Sequence, residues 1–324
     1  MQVVWRIEKG PDIIRLGYGH VGMVDVLLDT PRSWAAEGGK GVLVLPPDGH
    51  VHTEWSWDAV SGSMRQSCAR AAELGLPSIA FTEHADFTRW VIGPELGEQM
   101  RPVNAGQVGP DGTWSPPVFD TAAYLACVAR CREEFPGLRI LTGMELGEPH
   151  WHEAQVNALP GIGDFDRLLG SVHTLDLDGP RMVDHLFGSL ALGDLMRAYL
   201  AEALRLVESP APFAVLAHID YPVRYWPAEA GPFDAAAFEE EYRAVLSALA
   251  RSGRALEVNT SVPLPAPIVR WWYEAGGEAL AFGSDAHRPA SVARDFANAA
   301  AMAEAAGFRS GRHPHDFWRR SGIR

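Results

Sequence analysis

Nine residues of this 324-residue chain have the types and spacing of a metal site. His50 and His52 are one residue apart, so on an extended strand both side chains leave the same face. Asp285 and His287 repeat that spacing near the other end of the chain. Between them His84, Glu145, His173 and His218 each close a short apolar run, and Asp58 follows the first histidine pair. Taken singly, each has an ordinary explanation. A lone histidine at a strand end is usually a hydrogen-bonded loop residue, Glu145 would serve as a surface carboxylate, and Asp58 is well placed to cap a helix. Six of the twelve histidines and the carboxylates falling together at strand ends is not explained that way.

Imidazole and carboxylate donors without thiolate suit Zn²⁺, Mn²⁺ or Fe²⁺. Nine candidates exceed the needs of one ion and the roughly six to eight ligands of a two-ion site, so three ions fit best. Set against Asp58, Glu145 and Asp285, three divalent ions leave a net positive charge to face a dianionic phosphate. Such ions also lower the pKa of water toward neutrality, which is what phosphate-ester hydrolysis needs. Asp285, His287 and Glu145 are expected at the centre of the chemistry, with Glu145 bridging two ions. Arg181, Arg224 and Arg288, in loops after strand ends, are candidates for phosphate contacts, with Arg288 best placed.

These residues need a scaffold that brings many strand ends together. Seven short apolar runs, at 42–45, 78–81, 139–141, 168–169, 214–216, 256–258 and 280–282, read as strands. Helical stretches alternate with them, at 58–74, 120–135, 194–208, 234–251 and 290–306. Repeated strand–helix alternation predicts a parallel sheet, and seven or eight units predict a closed α/β barrel rather than a doubly wound open sheet. Two connections, 86–120 and 175–193, are too long for simple turns and are expected to act as lids over the strand ends. Residues 1–40 read as short strands or a hairpin appended to a barrel of residues 41–324. Within them, Gly17 to Gly22 formally matches a dinucleotide fingerprint, but only eight residues separate Gly22 from Pro31, too few for the helix that motif requires.

The chain carries 28 basic against 41 acidic side chains, a net charge of −13, which disfavours duplex nucleic acid as a partner. Three cysteines, Cys68, Cys127 and Cys131, cannot build a disulfide framework and are expected to be buried small hydrophobes. Neither a signal peptide nor an apolar run of spanning length is evident, so a cytoplasmic protein without membrane contact is expected. The oligomeric state is not legible.

The segments DGHVHTEWSWD, FTEH, GMELG, GSVH, AHID and GSDAH, in this order and spacing, resemble the polymerase and histidinol phosphatase (PHP) family. GSVH and the HTEW/TEH combination are most similar to its histidinol-phosphatase branch. The resemblance implies a distorted (β/α)7 barrel with a trinuclear metal centre that hydrolyses a phosphomonoester by a metal-activated hydroxide. It carries the ligand pattern to His50, His52, His84, Glu145, His173, His218, Asp285 and His287. Asp58 stands where that branch often has a histidine. The expected substrate is L-histidinol phosphate, with Glu54, Asp86, Glu148, Asp176 and Asp178 available to read its cationic groups. A nucleotide or another small phosphomonoester is the alternative within the family. Amidohydrolases also begin with a histidine pair on the first strand, but they end on a lone Asp and lack a counterpart of His84. A binding protein merely braced by metal is disfavoured, because structural sites are closed and usually four-coordinate.

Overall fold

The computed structural model describes residues 45–92, 107–109, 111–159 and 161–321, together with the backbone of three strands before them. The chain divides into two compact units, Met1–Leu43 and Val44–Arg324. In the first unit the strands Arg6–Lys9, Ile13–Tyr18 and Val21–Leu27 pair antiparallel in sequence order. Gly17 and Gly22 lie in the second and third of these paired strands, so strands flank the glycine-rich stretch on both sides. From Val21 to Leu27, where a dinucleotide site would begin its crossover helix, the chain is a strand.

The second unit is built on seven strands, β1 (Asp48–Val51), β2 (Ser78–Ala85), β3 (Arg139–Gly147), β4 (Arg167–Ser171), β5 (Val215–Leu216), β6 (Ala255–Asn259) and β7 (Ala279–Gly283). Each pairs parallel with the next. The strands are nearly continuous apolar runs buried on both faces, as parallel sheets are when helices cover the outside. Two short antiparallel strands, Trp318–Arg320 and Phe308–Arg309, extend the sheet beyond β7. The curled sheet closes on itself at its C-terminal ends. The amide of His52 donates to the carbonyl of Ala286 at 2.9 Å, and that of Asp285 to His50 at 2.8 Å. Buried Asp48 staples the seam, accepting from the amide and hydroxyl of Ser284 at 2.9 and 2.6 Å and from the amide of Ala293 at 2.9 Å.

The strand expected at 42–45 is instead β1, with 42–44 outside the described residues. Pro46 and Pro47 cannot donate ladder hydrogen bonds, so pairing begins at Asp48 and His50 lies inside the strand. The helix expected from residue 58 begins at Met64. Ser63 is its cap, accepting from the amide of Gln66, and Glu54 accepts from the amide of Met64 at 2.6 Å. Asp58 is thereby left on the preceding turn rather than spent as a cap. The remaining helices fall close to expectation: Thr121–Glu134, capped by Asp120, then Leu192–Glu208, Glu239–Ser252 and Phe296–Ala305. Helix Ala266–Glu274 adds to the outer layer and buries Trp271 and Trp272. All three cysteines are buried and unpaired. No helix among the described residues is long and apolar enough to cross a membrane.

Candidate metal centre

The nine residues converge at the C-terminal ends of the barrel strands. Alternation along β1 and the residue after it turns His50 and His52 to one side, and their Nε2 atoms lie 3.0 Å apart. Glu145, near the end of β3, sits at the middle. One of its oxygens is 3.2 Å from Nε2 of both His50 and His52 and 3.3 Å from Nδ1 of His84. The other is 2.7 Å from Nε2 of His218 and 3.2 Å from that of His173. Asp58 bridges His84 at 3.2 Å and His287 at 3.0 Å. Asp285, in the left-handed backbone region at φ 53°, points Oδ1 to within 3.3 Å of His52. Its other oxygen pairs with the guanidinium of Arg224.

Burial opposes ionisation of Glu145, yet the imidazoles of His50, His173 and His84 hold its carboxyl well below the usual range. Asp285 is buried too, and Arg224 and His50 depress it strongly. Burial pushes His218 down to about 4, favouring the neutral ring that ligates metal.

The donor set tests well against divalent cations. Four triads have all their ligand atoms within 4.8 Å of one another: His52–His84–His287, His50–His52–Glu145, His84–Asp86–His173 and Glu145–His173–His218. Two imidazole nitrogens meet head-on not only at His50–His52 but also at His173–His218, 3.3 Å apart. Among the described residues, Oδ1 of Asp58, Oδ1 of Asp86 and Nδ1 of His84 are buried without hydrogen-bond partners. Orphaned lone pairs packed around a central carboxylate are what cations satisfy, and these residues fit divalent metal binding.

Several orienting groups were not anticipated. Glu257, in the middle of β6, accepts from Nδ1 of His50 at 2.7 Å and from the amide of His218 at 2.8 Å. A Cβ on Gly283 would run into that carboxylate and lie 2.5 Å from Cβ of His50, so the glycine makes room for both. Ser56 contacts Nδ1 of His52 at 2.9 Å and donates to buried Glu83 at 2.6 Å. Trp57 donates to Asp86 at 2.7 Å, and Asp86 itself enters one of the triads. Glu148 accepts from the amides of His173 and Thr174 at 2.5 and 2.8 Å. Polar positions inside an apolar strand, such as Glu257 and Asn259, were the available signal.

The cluster forms the floor of a cavity of about 340 Å³ walled by Trp57, Trp90, Met182, Tyr221 and Tyr225. Of the three candidate arginines, Arg224 lines this cavity. Arg288 lines a neighbouring one that shares Asp58, Asp285 and His287, and Arg181 sits in the hairpin of Thr174–Asp176 with Pro180–Met182. Of the connection 86–120, residues 93–106 and 110 lie outside the described residues. Its described ends pair as short strands, and Trp90 and Trp114 stack at 5.1 Å, buried against Trp57. The five acids expected to read a substrate do not line the cavity. Glu54 caps a helix, Glu148 holds the backbone at His173, Asp86 faces His84, and Asp176 and Asp178 shape a turn.

A parallel barrel with a histidine–carboxylate cluster at its C-terminal mouth defines a metal-binding barrel protein. Residues 48–261 match the PHP domain, and the chain belongs to that family. It is similar to a probable histidinol-phosphatase of Deinococcus radiodurans, 29% identical over 267 residues that cover 78% of this chain and 90% of the relative. It is 25% identical over 250 residues to the histidinol-phosphatase of Lactococcus lactis, covering 74% and 83%. The fold matches the crystal structure of the Lactococcus lactis histidinol phosphate phosphatase complexed with zinc, L-histidinol and phosphate. That match has a TM-score of 0.66 at 22% identity and covers 84% of this chain and 98% of the other.

Proposed function

We propose that this chain is a metal-dependent phosphomonoesterase that hydrolyses L-histidinol phosphate to L-histidinol and phosphate. The observation that carries the reading is Glu145, which contacts five imidazoles at the floor of an open cavity. The substrate is supported by the names of relatives matched over most of their length. A closed four-ligand staple would brace a fold, whereas this cluster opens on space for a small molecule.

In this reading His50, His52, Asp58, His84, Glu145, His173, His218, Asp285 and His287 hold three ions of zinc, manganese or iron, with Asp86 as a further donor. Such ions, when bound, supply a water nucleophilic at neutral pH and neutralise the phosphoryl oxygens. The protein's part is orientation. Glu257 and Ser56 fix the rings of His50 and His52 by bonding the nitrogen that faces away from the cluster. Arg224 is held by Asp285, by Asn259 at 3.3 Å and over the ring of Tyr221, which presents a fixed cation to the phosphoryl group.

The test is kcat/KM of the metal-loaded protein for L-histidinol phosphate beside glycerol phosphate, a nucleoside monophosphate and a short single strand. Histidinol phosphate is expected to lead. A more than tenfold preference for the nucleotide or the strand would overturn the substrate assignment. Hydrolysis of an amide or lactone panel in preference to p-nitrophenyl phosphate would overturn the reaction class.

A further inference from the structure

The cavity above the cluster contains four carboxylates, and three of them are committed. Asp58 bridges two imidazoles, Glu145 contacts five, and Asp285 pairs with Arg224. The fourth, Asp184, belongs to the turn Val183–Leu186, which follows the hairpin ending at Met182. Its only ion-pair partner among the described residues is the neighbouring His185, at 3.6 Å, and its side chain is 30% exposed. Tyr221 and Tyr225 line the same cavity as Asp184, and their hydroxyls lie 3.2 Å apart.

A carboxylate beside aromatic faces is a cation site. The carboxylate pairs with an ammonium directly, and the ring faces attract it through their quadrupoles. A metal cluster repels cations, so a substrate with one anionic and one cationic end is oriented by the two together. We infer that Asp184 is the specificity residue that binds the ammonium of the alcohol half of the substrate, with Tyr221 and Tyr225 flanking it. This rests on the phosphatase reading and adds the group that separates histidinol phosphate from a neutral-alcohol phosphate.

Three phosphate esters test it: L-histidinol phosphate, its analogue lacking the amine, and p-nitrophenyl phosphate. In wild type the amine-bearing ester leads. In Asp184→Asn the ratio of kcat/KM for histidinol phosphate over the amine-free analogue is expected to fall about ten- to hundredfold, with Asp184→Glu recovering part of it. Calorimetric affinity for L-histidinol falls by a similar factor, a readout independent of turnover. An unchanged ratio and an unchanged L-histidinol affinity in Asp184→Asn, while wild type still prefers the amine, overturn the inference and leave the phosphatase reading intact. If wild type hydrolyses the esters with no preference for the amine-bearing one, the inference falls while the phosphatase reading stands. If the metal-loaded wild type hydrolyses none of the three, the phosphatase reading falls and takes the inference with it.

Discussion

Nδ1 of His50 lies 2.7 Å from Oε1 of Glu257, across 207 residues of sequence and in a site with no measurable exposure of the histidine. This contact fixes which ring nitrogen of His50 faces the cluster. Burial resists ionisation of Glu257, but the charges of His50 and His218 and their hydrogen bonds hold its carboxyl below the ordinary range. An imidazole that donates to a carboxylate is a stronger metal ligand through its other nitrogen. Glu257→Gln is therefore expected to weaken metal binding about ten- to hundredfold while the fold survives, as judged by circular dichroism. Metal retained after dialysis against a graded chelator series is the measurement. Retention equal to wild type would reduce Glu257 to a strand-packing role.

Protein purified without chelator should carry more than one equivalent of transition metal. With chelator present, the facing nitrogens of His50 and His52 and of His173 and His218 lose the cations that reconcile them. A metal at a hundred times its dissociation constant stabilises by about 2.7 kcal/mol, so chelation should lower Tm by roughly 5 °C or more. Elemental analysis showing one ion or fewer per chain after supplementation would rule out a trinuclear centre.

Much of this was legible because parallel strands buried on both faces read as short apolar runs, and ligands placed at their ends interrupt those runs at regular intervals. His50 and His52, one residue apart, announced a shared face. Glu257 was hidden for a related reason. It lies between Leu256 and Val258, and only strict alternation with Ala255 and Asn259 reveals that it faces the barrel interior. The role of Asp58 depended on a contest between two caps, and Ser63, backed by Glu54, won it. Asp184 was not anticipated, because its place in the cavity follows from a hairpin whose register no local pattern specifies.

Glu202 offers a prediction remote from the metal ligands. It is buried on the helix Leu192–Glu208 and accepts from His150 at 2.6 Å, Trp151 at 2.8 Å and the guanidinium of Arg205. Burial raises its pKa, but the bonds from His150 and Arg205 outweigh it and leave the group below its ordinary 4.5. A carboxyl depressed on folding contributes stability in full above its unfolded pKa and loses it as pH falls through the folded value. Glu202→Gln should thus cost about 1–3 kcal/mol at pH 7, and the gap to wild type should narrow below pH ~4.5. Urea unfolding of both proteins at several pH values reads it. A gap that stays constant into acid would mean the ionised form of Glu202 contributes nothing.

Arg224 can act in two ways that its variants separate. Its guanidinium holds Asp285, whose other oxygen faces His52, and it also lines the cavity where a phosphoryl group would lie. If it contacts phosphate, Arg224→Met should lower kcat/KM for a phosphomonoester about 10²- to 10³-fold and weaken competitive inhibition by inorganic phosphate. Arg224→Lys should restore the charge but not the fork that engages Asp285 and an oxyanion together, and so recover only part. If Arg224 serves only to hold Asp285, the losses should follow metal content instead. Reloading the Met variant to the wild-type metal complement would then return normal phosphate inhibition. Measuring bound metal and the phosphate inhibition constant on the same samples decides between them. The exposed cavity wall and the second contact to Asn259, which keeps the guanidinium in place without help from substrate, favour the phosphate role.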